Sequence, residues 1–203
     1  MRASERLQKQ LSFIVEVDKL KDVLRRTSPI GLQRRENAAE HSWHVVLAAL
    51  MLHEHSNQEA DLLRVMQMLA IHDVVEVDVG DTFHYSKSSR ENLAELEAQA
   101  AQRIFGLLPE DQASLFVSLW EEFEARKTPE AKFAAAVDRF IAFVLNKHNA
   151  GGTWVEHRIS AEQIIEVNRH VEGGSRPLWD ALEMIVEEAV ADGLIEARAA
   201  SSP

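Results

Sequence analysis

The segment LLRVMQMLAIHDVVE, residues 62–76, is apolar on nearly every helical face and closes on ionisable groups. A helix with no polar face belongs inside a protein, with other elements packed round it. Yet His72, Asp73 and Glu76 stand at its end. An ionised carboxylate in apolar surroundings is costly unless it is paired, protonated or bound to a metal. The fold must therefore enclose this helix and also supply a partner for its acids.

The rest of the chain offers helices to do the enclosing. Leu7, Leu11, Ile14, Val15, Leu20 and Val23 mark an amphipathic helix over about 4–25. RRTSPIGLQRR, 25–35, holds Pro29 and Gly31 and reads as a loop carrying Arg25, Arg26, Arg34 and Arg35. Asn37 with Glu40 three residues on is a capping box, opening a helix to about His53. After the 60–76 helix, VDVGDTFHYSKS breaks the pattern at Gly80. Helices are expected at about 89–106, from first-turn Pro109 to about Arg126, and at 129–148. NAGGTW is a turn, and the last helices span about 160–170 and 176–195, separated by EGGS. No segment alternates cleanly enough for a strand. The expectation is an all-α single-domain helical bundle over 1–203, with its core at about 10–150, C-terminal helices at about 160–195 and a frayed ARAASSP tail.

Composition narrows the function. Net charge is −11, which disfavours a nucleic-acid polymer as partner, although locally grouped cations still suit a small anion. There is no Cys, so thiolate chemistry and Cys-based zinc sites are excluded. The start MRASERLQKQ has no apolar signal-peptide core, and no apolar run nears the ~18 residues of a membrane span. A cytoplasmic protein with no membrane partner is expected.

Polar groups recur on inward faces. His41 heads a stripe continued by Val45, Ala48 and Leu52. His72 shares a face with Val65, Met68 and Val75, and Glu76 lies one turn on. Asp73 sits with Met66, Leu69 and Ala70. Asp138 lies with Ala134, Ile141 and Leu145, and its neighbour Arg139 is badly placed to pair with it, since i,i+1 residues diverge on a helix. A lone inward His is more often a hydrogen-bonded core residue, and His44 and His53 are read that way. Two histidines and two aspartates from three helices, converging in a bundle, make a cage for one divalent metal ion, with Co, Mn, Zn, Ni, Fe and Mg as candidates.

These residues carry a resemblance. His41 in AEHSWH, His72-Asp73 in AIHDVVE and Asp138 in AAVDRF follow the H…HD…D pattern of the HD-domain superfamily of metal-dependent phosphohydrolases. ENAAEHSWHV, HDVVEVDVGD and the downstream VDR are similar to its 5'-deoxynucleotidase branch. The resemblance implies that His41, His72, Asp73 and Asp138 bind the metal, that Glu76 is the catalytic acid/base, and that Asp81 contacts substrate or water. It places Arg26 at a substrate-recognition arginine, with Thr27 where that branch carries Trp. Arg34 and Arg35 join Arg26 as candidate phosphate clamps. The implied activity is hydrolysis of nucleoside or deoxynucleoside monophosphates by a metal-activated water.

Two alternatives stay open. One is an HD phosphodiesterase or other two-metal enzyme acting on a different phosphorylated substrate, with His84 and His148 as extra ligands. The other is a non-catalytic metal-binding helical scaffold. Family members often form homodimers, and one is expected here; Trp120 and Trp179 are either part of that contact or, more simply, core.

Overall fold

The computed structural model describes residues 4–81 and 92–198. Among these there is no strand, only an isolated antiparallel bridge between Leu24 and Asn37. The helices are α1 (Glu5–Val17), α2 (Ala38–Leu52), α3 (Leu62–Ile71), α4 (Glu76–Val79), α5 (Leu93–Phe105), α6 (Glu110–Ala125), α7 (Pro129–His148), α8 (Gly152–Glu156), α9 (Ala161–Asn168), α10 (His170–Gly174) and α11 (Arg176–Ala191). The all-α reading holds.

Local chemistry accounts for most helix starts. The Asn37 side chain accepts from Glu40 N while the Glu40 carboxylate accepts from Asn37 N, so the expected capping box opens α2. Ser160 and Gln163 repeat that device at α9. Thr128 caps α7, with Pro129 in its first turn. Pro109 differs by one position: it is the cap residue of α6, in extended conformation, rather than its first helical residue.

Other boundaries differ for tertiary reasons. α1 ends at Val17 and tightens into a 3-10 turn, Asp18–Asp22, that carries the chain toward α2. The expected 60–76 helix is α3, a 3-10 turn His72–Val75, then α4, which Gly80 ends at φ +73°. The turn NAGGTW passes into α8 at Gly152. EGGS is mostly helical, because α10 runs through Gly174. That glycine lies against α7: a Cβ there would stand 2.2 Å from the Lys132 carbonyl oxygen. The start expected for the 89–106 helix, the 82–88 part of the break and most of the ARAASSP tail fall outside the described residues.

The hub is α7. It packs against α2, α3, α6, α8, α10 and α11. Its buried Ala134, Ala135 and Ala136 let neighbours approach closely on several sides. α3 lies beside it with Val65, Met68 and Leu69 fully buried, although Leu63 faces outward. Trp120 and Trp179 are core residues. α2 presents His41, Val45, Ala48 and Ala49 to the core and leaves Trp43, Leu47, Leu50 and Met51 exposed. The inner faces of α2, α3 and α7 meet, and there the chain's buried charges are found.

Candidate metal centre and cavity

His41 comes from the first turn of α2, His72 and Asp73 from the 3-10 turn after α3, and Asp138 from the middle of α7. All four are buried. His41 Nε2 lies 2.8 Å from Asp138 Oδ1. His72 Nε2 lies 3.1 Å from Asp73 Oδ1 and 3.8 Å from Asp138 Oδ1. Donor atoms of His41, His72 and Asp73 all fall within 4.8 Å of one another. Phe123 covers the His72 ring at 5.0 Å.

The protonation logic of His72 tests the site for a cation. Its Nδ1 is 2.9 Å from the Leu69 carbonyl oxygen, which can only accept, so Nδ1 carries the proton. Neutral His72 then aims the Nε2 lone pair at two carboxylates. His72 Nε2, His41 Nδ1 and one Glu76 carboxylate oxygen are buried without a hydrogen-bond partner. A lone pair facing two anions is stable only with a positive charge between them, a proton or a metal cation. Burial lowers the affinity of His72 for a proton, but Asp73 and Asp138 outweigh it and the pKa is raised. Two imidazoles and two carboxylates form a donor set suited to first-row divalent ions. The residues fit a divalent metal.

The surrounding charges are tuned by burial. Burial, then the nearby Arg25 charge, pushes His41 down to about 4, so it is a neutral imidazole at pH 7. Burial opposes ionisation of Asp138, but Arg139, His41 and His72 hold it well below the usual carboxylate range. Burial and the Asp73 charge push Glu76 up to about 10, against the pull of Arg25. Asp81 is raised by burial as well. Arg139 reaches Asp138 Oδ2 at 3.6 Å, so the expectation that it is badly placed to pair there fails. The i,i+1 rule describes where Cβ atoms point, and a guanidinium on a long stem reaches round it.

A cavity of about 810 Å³ opens on this cluster. His72, Asp73, Glu76, Asp81 and Asp138 line one part of it, with Arg25, Arg26, Arg126 and Arg139 around them. Of the candidate clamps, Arg26 lines the cavity. Arg34 is held by Glu40 at 2.6 Å, and Arg35 by Glu156 at 2.7 Å and by the Arg26 carbonyl; neither lines it. His148 is exposed at the end of α7 and away from the cluster, and His84 lies outside the described residues.

Sequence reasoning passed over Arg25. Its Nη1 donates to Asp73 Oδ2 at 2.8 Å, and its side chain is only 11% exposed. The signal was present but short. The Leu24–Asn37 bridge makes residues 24–27 locally extended, so exposure alternates: Arg25 and Thr27 are withdrawn from solvent, whereas Leu24 and Arg26 are exposed. Thr27 is buried, its hydroxyl on Glu36. Glu97 also lines the cavity, pushed up to about 7 by burial and Glu124.

Three kinds of comparison bear on this arrangement. The family model described as HD domain matches residues 17–179. The 5'-deoxynucleotidase HDDC2 of Bos taurus is 32% identical over 110 residues, 54% of this chain and 52% of that protein. The 5'-deoxynucleotidase hdd1 of Schizosaccharomyces pombe is 29% identical over 115 residues, 54% and 56% of the two chains. The chain spans about half the length of these curated relatives. The crystal structure of a predicted metal-dependent phosphohydrolase from Magnetospirillum magnetotacticum MS-1 is similar over 94% of this chain and 96% of that one, at 43% identity and a TM-score of 0.90.

Proposed function

The chain belongs to the HD domain family, and from that premise we propose that it is a metal-dependent phosphomonoesterase that hydrolyses nucleoside 5'-monophosphates, deoxynucleotides among them. The observation that carries the reading is His72: its Nε2 lone pair faces two carboxylates at the floor of an arginine-rimmed cavity. The relatives named 5'-deoxynucleotidase and metal-dependent phosphohydrolase support it.

His41, His72, Asp73 and Asp138 would hold one divalent ion. Bound there, it supplies Lewis acidity, taking the pKa of water from 15.7 toward ~7 and offsetting charge on a phosphoryl oxygen. Arg25, Arg26 and Arg139 line the cavity and offer guanidinium donors to phosphate oxygens. Glu76 is the proton carrier. Burial makes it hold a proton at neutral pH, whereas a cation beside Asp73 favours its ionised form, so small changes in local charge switch it between acceptor and donor. It takes a proton as the water oxygen bonds to phosphorus and delivers one to the 5' oxygen as the P–O bond breaks. Asp81, which also lines the cavity, orients water or sugar.

The test is phosphate release from a panel of nucleoside monophosphates with Co²⁺, Mn²⁺ or Mg²⁺ added. Turnover lost to chelator and restored by metal is expected. A fully loaded protein that turns over no phosphomonoester ends this reading.

The same chain is proposed to act as a homodimer through the outer face of α2. Trp43, Leu47, Leu50 and Met51 follow i, i+4, i+7, i+8 spacing, and Trp43 and Met51 are 67% and 64% exposed. Sedimentation should find a dimer that Trp43→Glu turns into a folded monomer; a monomeric wild-type protein sinks this assignment.

A further inference from the structure

Away from the metal centre, the cavity is lined by Asn146, Thr153, Trp154, Ile159, Gln163 and Glu166. Two side-chain amides stand there, oriented by the same device. Asn146 Oδ1 accepts from Thr153 N at 3.0 Å and from Thr153 Oγ at 3.1 Å. Gln163 Oε1 accepts from Ser160 N at 3.0 Å and from Ser160 Oγ at 3.2 Å. Each amide thus spends its acceptor half on a helix start: Asn146 on that of the following helix, α8, and Gln163 on that of its own helix, α9. A backbone N–H can only donate, so neither amide can be turned over. The NH₂ half of each is left, with no acceptor for it among the described residues.

Asn146 is the stronger of the two. It is 4% exposed, and Gly152 is packed onto it so tightly that a Cβ would lie 2.4 Å from Asn146 Oδ1. Asn146 lines the cavity, and with its acceptor half committed to Thr153 its NH₂ half is the part available to an acceptor from outside the chain. α7 is the ruler between this amide and the metal centre. Asp138, Arg139, Ala142, Phe143 and Asn146 all line the cavity, and eight residues of α-helix separate Asp138 from Asn146 by about 12 Å. That is roughly the reach of a nucleoside 5'-monophosphate from its phosphorus to the far edge of its base. Ala142, between them, has a small side chain and leaves the path open.

We infer that Asn146, assisted by Gln163, is the specificity-determining residue of this cavity: its NH₂ donates to an acceptor on the nucleobase, a ring nitrogen or carbonyl oxygen. Glu166, one turn beyond Gln163, is an acceptor for an exocyclic amino group. The site therefore selects nucleotides over baseless phosphomonoesters such as deoxyribose 5-phosphate. This assignment rests on the proposed phosphomonoesterase reading, but it can fail separately.

The test is Asn146→Asp, which keeps both hydrogen bonds from Thr153 and replaces the donor with an acceptor. Calorimetric binding to the metal-loaded protein is measured for nucleoside monophosphates, deoxyribose 5-phosphate and orthophosphate, with kcat/KM taken in parallel. Wild type is expected to bind nucleotides about tenfold more tightly than deoxyribose 5-phosphate, and Asn146→Asp to abolish that preference while changing orthophosphate binding less than twofold. Gln163→Glu, at an exposed position, should erode the preference by a smaller factor. Equal binding of nucleotide and deoxyribose 5-phosphate by wild type, or an Asn146→Asp loss shared equally by all three ligands, overturns the inference. Tight, base-dependent nucleotide binding with no hydrolysis would instead overturn the phosphomonoesterase reading and leave this one standing.

Discussion

Arg25 and Arg34 come from one loop and carry the same charge, yet they belong to different regions of the molecule. Arg25 is buried, with Asp73 at 2.8 Å and Glu36 at 3.8 Å. Arg34 pairs with Glu40 at 2.6 Å, the shorter distance, but is 53% exposed. The same contrast separates the buried His/Asp cluster from the outer ion pairs, such as Arg6 with Asp111 and Arg176 with Asp180. An exposed pair exchanges one well-solvated state for another and adds little. A buried group has no water to fall back on, so each depends on the others. Distance alone does not rank these pairs; burial does.

The sharpest way to break that contrast is at the ligands. His72→Ala should abolish stoichiometric metal binding and measurable turnover together, read by elemental analysis and phosphate release. Glu76→Gln is next. It leaves the four proposed ligands in place, so metal content should stay near wild type while kcat falls by about 10²–10⁴-fold; an unchanged rate would remove Glu76 from proton transfer. Arg25→Ala should lower kcat/KM by about 10²-fold, as for loss of one charged donor to the reacting group. In chelator it should also cost about 3 kcal/mol in urea unfolding, because buried Asp73 then loses its guanidinium partner. Metal should restore most of that stability, since the ion then compensates Asp73.

Stability against pH sharpens the same point. Glu76 holds its proton more tightly folded than unfolded, so its contribution is fully present below about 4.5 and is lost as pH rises toward about 10. His41 has the opposite sign: its folded value of about 4 lies below the unfolded 6.5, so stability is lost as pH falls through that interval. In chelator the melting temperature should therefore decline from pH 7 to pH 9. Saturating metal should flatten the decline, because an ion beside Glu76 removes the reason it keeps its proton. The smallest effect belongs to Arg34→Ala: within about 0.5 kcal/mol in stability and twofold in kcat/KM. A larger loss would mean that Arg34 leaves Glu40 to meet substrate.

Much of this was legible residue by residue. The capping box at Asn37 and the Thr128–Pro129 start are local chemistry, and both helices begin where their side chains require. His41, His72, Asp73 and Asp138 were legible because each breaks an apolar stripe that must face inward, and the structure brings them together. Arg25 was not, because the Leu24–Asn37 bridge is too short to show as alternation in a loop. Nor was Asn146, whose meaning depends on Thr153 holding one half of its amide. Trp43 was equally hidden: nothing along α2 says which apolar side chains the core leaves outside.

The order of residues alone therefore determined the helices, their inward faces and the need for a counter-charge, since capping, periodicity and the cost of burying an acid act within a few turns. Only the tertiary structure decided which arginine turns in, which amide is locked and how far the cavity extends along α7. Those depend on elements distant in sequence excluding water from one another, and no local pattern records that.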